Sequence, residues 1–245
     1  MATVNSPVNS PATIPTNSLP TPARIPQLES GDSLSRDEFE RRYFAMPNCK
    51  KAELIEGIVY MPSPVSYENH GGPHCKIITW LGVYSANTPG ISAGDNSTVR
   101  LDLTNEPQPD VVMFSEPQFG GAVKIVNGYI EGSPELVVEV SASSVSIDMH
   151  AKRRVYLRNG VKEYIVWRVQ DGALDWFVLR NTEYANLLPD AAGILRSETF
   201  PGLWLKASGT LEKWIVKQTA IPSKRKATTV HPVLRACSFS ALNPF

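Results

Sequence analysis

"ELVVEVSAS" (residues 135–143) reads as a β-strand buried on both faces, with one residue out of place. Leu136, Val137, Val138 and Val140 are apolar strand formers and show none of the polar alternation of a half-exposed strand. Glu139 interrupts them. A carboxylate without a partner in a dry core is costly or is forced to take up a proton. Glu139 therefore needs a partner or a chemical task.

The segments around this strand set the fold class. "STVRLDL" (97–103), "DVVMF" (110–114) and "AVKIV" (122–126) precede it as short β-like runs. A helical stretch follows from about Ser144 to Asn159, with Gly160 as its natural C-cap. "KEYIVWRV" (162–169) and "LDWFVL" (174–179) then flank a Gln-Asp-Gly turn with hairpin spacing. Upstream, "SRDE" (35–38) has the spacing of a capping box and opens a short helix through "FERRYFAM". "AELIEGIVYM" (52–61) reads as a strand pair bent at Gly57. "HCKIITWLGVYSA" (74–86) places Ile77, Ile78, Leu81 and Tyr84 on one amphipathic helix. "SETFPGLWL" (197–205) and a helix near 209–217 close the core. The order is that of a mixed α/β domain with a central sheet.

The 245 residues suffice for one good-sized domain with tails. Residues 1–30, rich in Pro, Ser, Thr and Asn, read as a tail without fixed structure, 31–216 as the folded domain and 217–245 as a basic C-terminal tail. From Val216 onward there are five basic residues and no acidic one, so the balanced total of 24 against 24 leaves residues 1–215 with a net acidic charge. "SKRK" (223–226) serves either as a solvated tail or as an electrostatic arm for phosphates. The three cysteines, Cys49, Cys75 and Cys237, lack metal-type spacing and fit a reducing, cytoplasmic setting. No apolar run approaches the length of a membrane span, and the N-terminus does not read as a secretory signal. A cytoplasmic protein without a membrane partner is expected.

Three features gather around Glu139. Asp110 opens an apolar strand directly after Pro109, which marks the strand's beginning and leaves the carboxylate at a sheet margin. Asp148, Lys152 and Tyr156 recur every four residues on the following helix and share a face. Two carboxylates on neighbouring strands form an oxygen-rich pocket suited to Mg²⁺ or Mn²⁺, and a lysine beside it can orient water or stabilise charge on a phosphate. The residues alone leave two readings open: a metal site, or a structural salt bridge of Glu139 with Lys152 or Arg153.

"AELIEGIVYMPSP", "NEPQPDVVMF", "SPELVVEVSASS" and "DMHAKRRVYLRNGVKEYIVW", in that order, resemble the landmarks of the Uma-two family of endonucleases, within the PD-(D/E)XK, restriction-endonuclease-like superfamily. The resemblance runs from about residue 35 to 207 and includes "FPGLWL" (200–205). It implies a restriction-endonuclease-like fold, a mixed central β-sheet flanked by helices, and metal-dependent hydrolysis of phosphodiester bonds in DNA. Asp110 and Glu139 match metal ligands of the superfamily, and the Val140 carbonyl matches a further oxygen. Ser141 stands where the in-line lysine of the E-x-K element belongs. In the family a lysine on the following helix is thought to take over, and Lys152 fits it. Glu53 matches an outer acidic position, with Glu56 its competitor. The resemblance also makes a homodimer plausible for cutting two strands.

The rival reading is a non-catalytic DNA-binding or interaction module that keeps the nuclease fold, favoured by the neutral net charge and the absent E-x-K lysine. A hydrolase of some other phosphoester shares the metal chemistry and differs only in substrate. His70 and His74 have the i, i+4 spacing of a helical zinc pair, but "HGGPH" is a poor helix, so His74 is read as a helix-start residue and neither as a ligand. Tyr164 and Trp167 are read as core rather than base-stacking residues.

Overall fold

The computed structural model describes residues 24–62 and 64–206. Helix α1 (Arg36–Phe44) starts where the capping box puts it, with the Ser35 hydroxyl accepting from the Glu38 amide. Strands β1 (Glu53–Ile55) and β2 (Ile58–Tyr60) form a hairpin whose two-residue loop, Glu56 and Gly57, has positive φ at both positions. That backbone matches the twist of the flanking strands, which explains the glycine at 57. A π-helical turn (Tyr67–Gly71) leads into α2 (Gly72–Asn87).

β3 (Ile91–Asp95), β4 (Val99–Arg100), β5 (Val111–Ser115), β6 (Lys124–Val126), β7 (Tyr129–Glu131) and β8 (Leu136–Ser141) follow. A second π-helical turn (Ile147–Lys152) runs directly into α3 (Arg153–Arg158). β9 (Glu163–Arg168), β10 (Ala173–Arg180), β11 (Glu183–Asn186), β12 (Ile194–Arg196) and β13 (Trp204–Lys206) complete the described chain.

The central sheet has six strands in the order β11-β10-β9-β8-β5-β3. Only the β8–β9 pair is parallel, so the sheet is mixed as the sequence predicts. β8 lies between β5 and β9, and every one of its residues is buried. On one face Ile77, Trp80, Leu81 and Tyr84 of α2 pack against Val111, Val138, Val140 and Trp167. On the other, Tyr156 of α3 packs with Val112, Val137, Tyr164, Val166 and Phe177. Tyr164 and Trp167 are thus core residues. Since Val137 faces α3, Glu139 two residues on faces it as well.

The structure departs from the sequence reading in three places. The chain is already placed ahead of Ser35: Leu28 is buried against a cluster that includes Phe39, Leu54 and Val59. β3 is an edge strand that the pattern of "ISAGD" does not announce, because glycine and aspartate are poor strand formers. The helix after β8 begins at Val145, as the sequence predicts, but is π-wound over Ile147–Lys152 before it becomes α3. The helix expected near 209–217 and the basic tail lie outside the described residues.

Beneath α1, the buried Glu106 carboxyl meets that of the partly exposed Glu40 beside Arg100, whose Nε lies 2.9 Å from Glu40 and 3.8 Å from Glu106. Burial, then the hydrogen bond with Glu40, pushes the Glu106 carboxyl up to about 8 from the ordinary 4.5. The folded state therefore holds this proton more tightly than the unfolded chain, and its stabilising effect is lost as pH rises from about 4.5 towards 8. Glu106→Gln, which imitates the protonated carboxyl, is expected to flatten that loss. Thermal denaturation at pH values spanning this window checks it, and an unchanged pH slope in the variant would contradict the assignment.

Candidate active site

Glu139 sits at the centre of a polar cluster between β8 and the helix after it. Lys152 Nζ donates to Glu139 Oε1 at 3.0 Å and to Glu53 Oε1 at 2.9 Å, and lies 3.6 Å from Asp148 Oδ1. The Tyr156 hydroxyl donates to the same Glu139 oxygen at 3.0 Å. The helix face read from the four-residue recurrence is the buried one: Asp148, Lys152 and Tyr156 are each no more than 5% exposed. Asp148 is held in turn by the hydroxyls of Ser141 and Ser144, at 2.8 and 2.6 Å. Ser141, standing where an in-line lysine would be, thus serves to anchor Asp148.

Glu53 arrives from a distant part of the sequence. β1 is tied to residues 104–108 by the reciprocal backbone bonds of Leu54 with Glu106, and the Gln108 amide donates to Glu53 Oε1 at 2.7 Å. Glu56, on the hairpin turn, points elsewhere and pairs with Arg154 and Arg158 at the surface. Of the two candidate glutamates, then, only Glu53 joins the cluster. Arg153, the alternative partner for Glu139, lies over the Phe177 ring at 4.3 Å.

Asp110 reaches the same region from the sheet. β5 and β8 are antiparallel with Val111 opposite Val138, and continuing the register by one residue sets Asp110 opposite Glu139. Asp110 Oδ2 accepts from the Val140 amide at 2.7 Å. Its other oxygen faces His70 Nε2 at 3.4 Å, while His70 Nδ1 lies 3.1 Å from the Val140 carbonyl. His74 is in the first turn of α2, as expected, and its Nε2 lies near the Asp110 carbonyl at 3.1 Å and Asp95 at 2.9 Å. His70 is the site residue that the sequence did not supply, and the only signal for it was its spacing from His74.

Burial pushes the Glu139 carboxyl up to about 8; Lys152 pulls against this, and the charges of Asp148, Asp110 and Glu53 add to it. Lys152 also suffers from burial, but the carboxylates of Glu139, Glu53 and Asp148 hold its ammonium well above the usual lysine range. For Asp110, burial acts upward but is outweighed by the His70 hydrogen bond, by the charges of Lys51 and His70 and by the Val140 amide, so it stays below the usual aspartate range. The His70 imidazole is raised chiefly by its hydrogen bond with Asp110. Four carboxyl groups therefore face Lys152 and His70, with the Lys51 charge also acting on Asp110, a surplus of acid in a buried place.

Among the described residues, no three His, Cys, Asp or Glu side chains form a ready-made metal site. The donor chemistry nevertheless fits a hard divalent cation, since two carboxylates and the Val140 carbonyl supply oxygen only. The acid surplus fits its charge.

A family model described as "Uma2: Putative restriction endonuclease" matches residues 36–208. No curated protein matches the chain. Among solved structures, a crystal structure of a "putative nuclease belonging to DUF820" from Anabaena variabilis is similar at 15% identity, covering 65% of this chain and 89% of that one with a TM-score of 0.49. No helix among the described residues is long and apolar enough to cross a membrane.

Removing one member of a buried charge pair leaves the other uncompensated, typically at a cost of about 3–5 kcal/mol. Lys152→Met is expected to destabilise the fold by that order, and adding Glu139→Gln to recover part of the loss. Chemical denaturation of both variants checks the coupling, and strictly additive losses would contradict it.

Proposed function

The chain belongs to the Uma2 family, and from that membership and the geometry around Glu139 we propose that it is a metal-dependent endonuclease hydrolysing phosphodiester bonds in DNA. The observation that carries the reading is the position of Lys152. A lysine from the helix after β8 brings its ammonium to the carboxylate of Glu139, where the in-line lysine is missing and Ser141 stands instead. The site thus keeps acids on two neighbouring strands and brings a cation to Glu139, by a different route through the chain.

Asp110, Glu139 and the Val140 carbonyl would hold Mg²⁺ or Mn²⁺. Such an ion supplies Lewis acidity toward water and the scissile phosphate. Lys152 orients the attacking water and stabilises negative charge developing on the phosphate. Glu53, through its 2.9 Å bond to Nζ, positions Lys152 rather than touching the substrate. Tyr156, whose hydroxyl burial keeps protonated, donates to Glu139 and fixes its rotamer. Asp148 adds charge behind the ammonium.

One observation favours the rival, non-catalytic reading: Lys152 already pairs with both Glu139 and Glu53 without an added ion. On that reading the cluster is a structural ion pair, and the fold serves only to bind.

Nicking of supercoiled DNA in Mg²⁺ or Mn²⁺ separates the two. Asp110→Ala and Lys152→Met, checked for retained fold, are expected to reduce the rate by about 10²-fold or more, the usual scale for losing a group that stabilises developing charge. Cutting at the wild-type rate by both folded variants would contradict the proposal.

A further inference from the structure

His70 lies outside the hydrophobic clusters, yet its ring is built into the candidate site. The two ring nitrogens bridge two oxygens that the proposed function assigns to a cation. Nε2 faces Asp110 Oδ1 at 3.4 Å, and Nδ1 faces the Val140 carbonyl at 3.1 Å. A carbonyl oxygen can only accept, so Nδ1 is the donor toward Val140. An ion bound to Asp110 and Val140 would need the same two oxygens. Ring and ion therefore compete for one place.

The segment that carries His70 is suited to leave. No residue of the Tyr67–Gly71 turn is buried. Its backbone bonds are local: the amides of His70 and Gly71 donate to the Ser66 carbonyl, and the Asn69 amide donates to the Ser66 hydroxyl. Withdrawing the ring breaks its contacts with Asp110, the Val140 carbonyl and the neighbouring His74 ring, 5.4 Å away between centroids, and no pairing of the central sheet. π-Helical turns recur at functional sites. The outer side of the segment presents Tyr67, 81% exposed, so the turn already faces solvent.

We propose that His70 is a stopper of the cation site: the Tyr67–Gly71 turn seats its ring between Asp110 and the Val140 carbonyl, and the ring withdraws when a divalent cation enters. The inference rests on the reading of these oxygens as cation ligands. His70 is a positioning residue here, since it acts on the site by occupying it.

A seated state that holds roughly nine molecules in ten lowers the apparent affinity about tenfold. Calorimetric titration of Mn²⁺ into the full chain is therefore expected to show His70→Ala binding about tenfold more tightly than wild type. His70→Gln, which keeps a donor but not the two-nitrogen bridge, should also bind more tightly, and it reads the effect should the alanine variant fail to fold. Equal or weaker binding by the folded variants overturns the stopper while leaving the cation site standing. Absence of Mn²⁺ binding from wild type and both variants overturns the cation site, and the stopper with it.

Discussion

Lys152 carries one positive charge into the α3 side of the sheet, within 3.6 Å of three carboxylates. The architecture around it follows from that constraint. An ammonium and several carboxylates in a low-dielectric place are tolerable only if each is paired and hydrogen-bonded. Each partner comes from a different element: Glu53 from β1, Glu139 from β8 and Asp148 from the helix that bears Lys152 itself. The cluster ties the N-terminal hairpin to the sheet centre across a sequence separation of 99 residues. Such ties are held by directional bonds, so they fix a register where apolar packing alone would allow slippage.

This also answers why a glutamate interrupts the buried β8 run. Its side chain meets a cation and a phenol, and its carboxyl is raised to about 8 because even this company does not fully offset burial. A site that already struggles to keep a carboxylate charged gains most from a divalent ion. Protonation and metal binding are alternative answers to one electrostatic problem. His70 offers a third, by facing Asp110 across 3.4 Å from the opposite side of the cluster.

How much of this was legible in the sequence depended on whether the signal was local. Glu139 stood out because its neighbours are uniformly apolar, and Asp110 because Pro109 marks a strand start. Lys152 followed from four-residue periodicity with Asp148 and Tyr156, which survives the π-wound start of the helix. The choice between Glu53 and Glu56 was not legible. It depends on how the hairpin sits against the helix: Glu53 meets Lys152 of the π turn, while Glu56 meets Arg154 and Arg158 of α3. His70 was hidden for a similar reason. "HGGPH" reads as a poor α-helix, yet it closes the π turn and opens α2, and His70 matters only through its contacts with Asp110 and Val140, 40 and 70 residues away.

We propose that Glu139 is kept in the core to share a divalent cation with Asp110 and the Val140 carbonyl. Anomalous diffraction from crystals soaked in Mn²⁺ addresses it directly. One strong peak is expected in contact with those oxygens, with Lys152 Nζ still at Glu139 and the His70 ring displaced. A Mn²⁺-soaked crystal with no peak there, and with the Lys152–Glu139 pair and the His70 bridge unaltered, would contradict it and leave a structural ion pair in place of an active site.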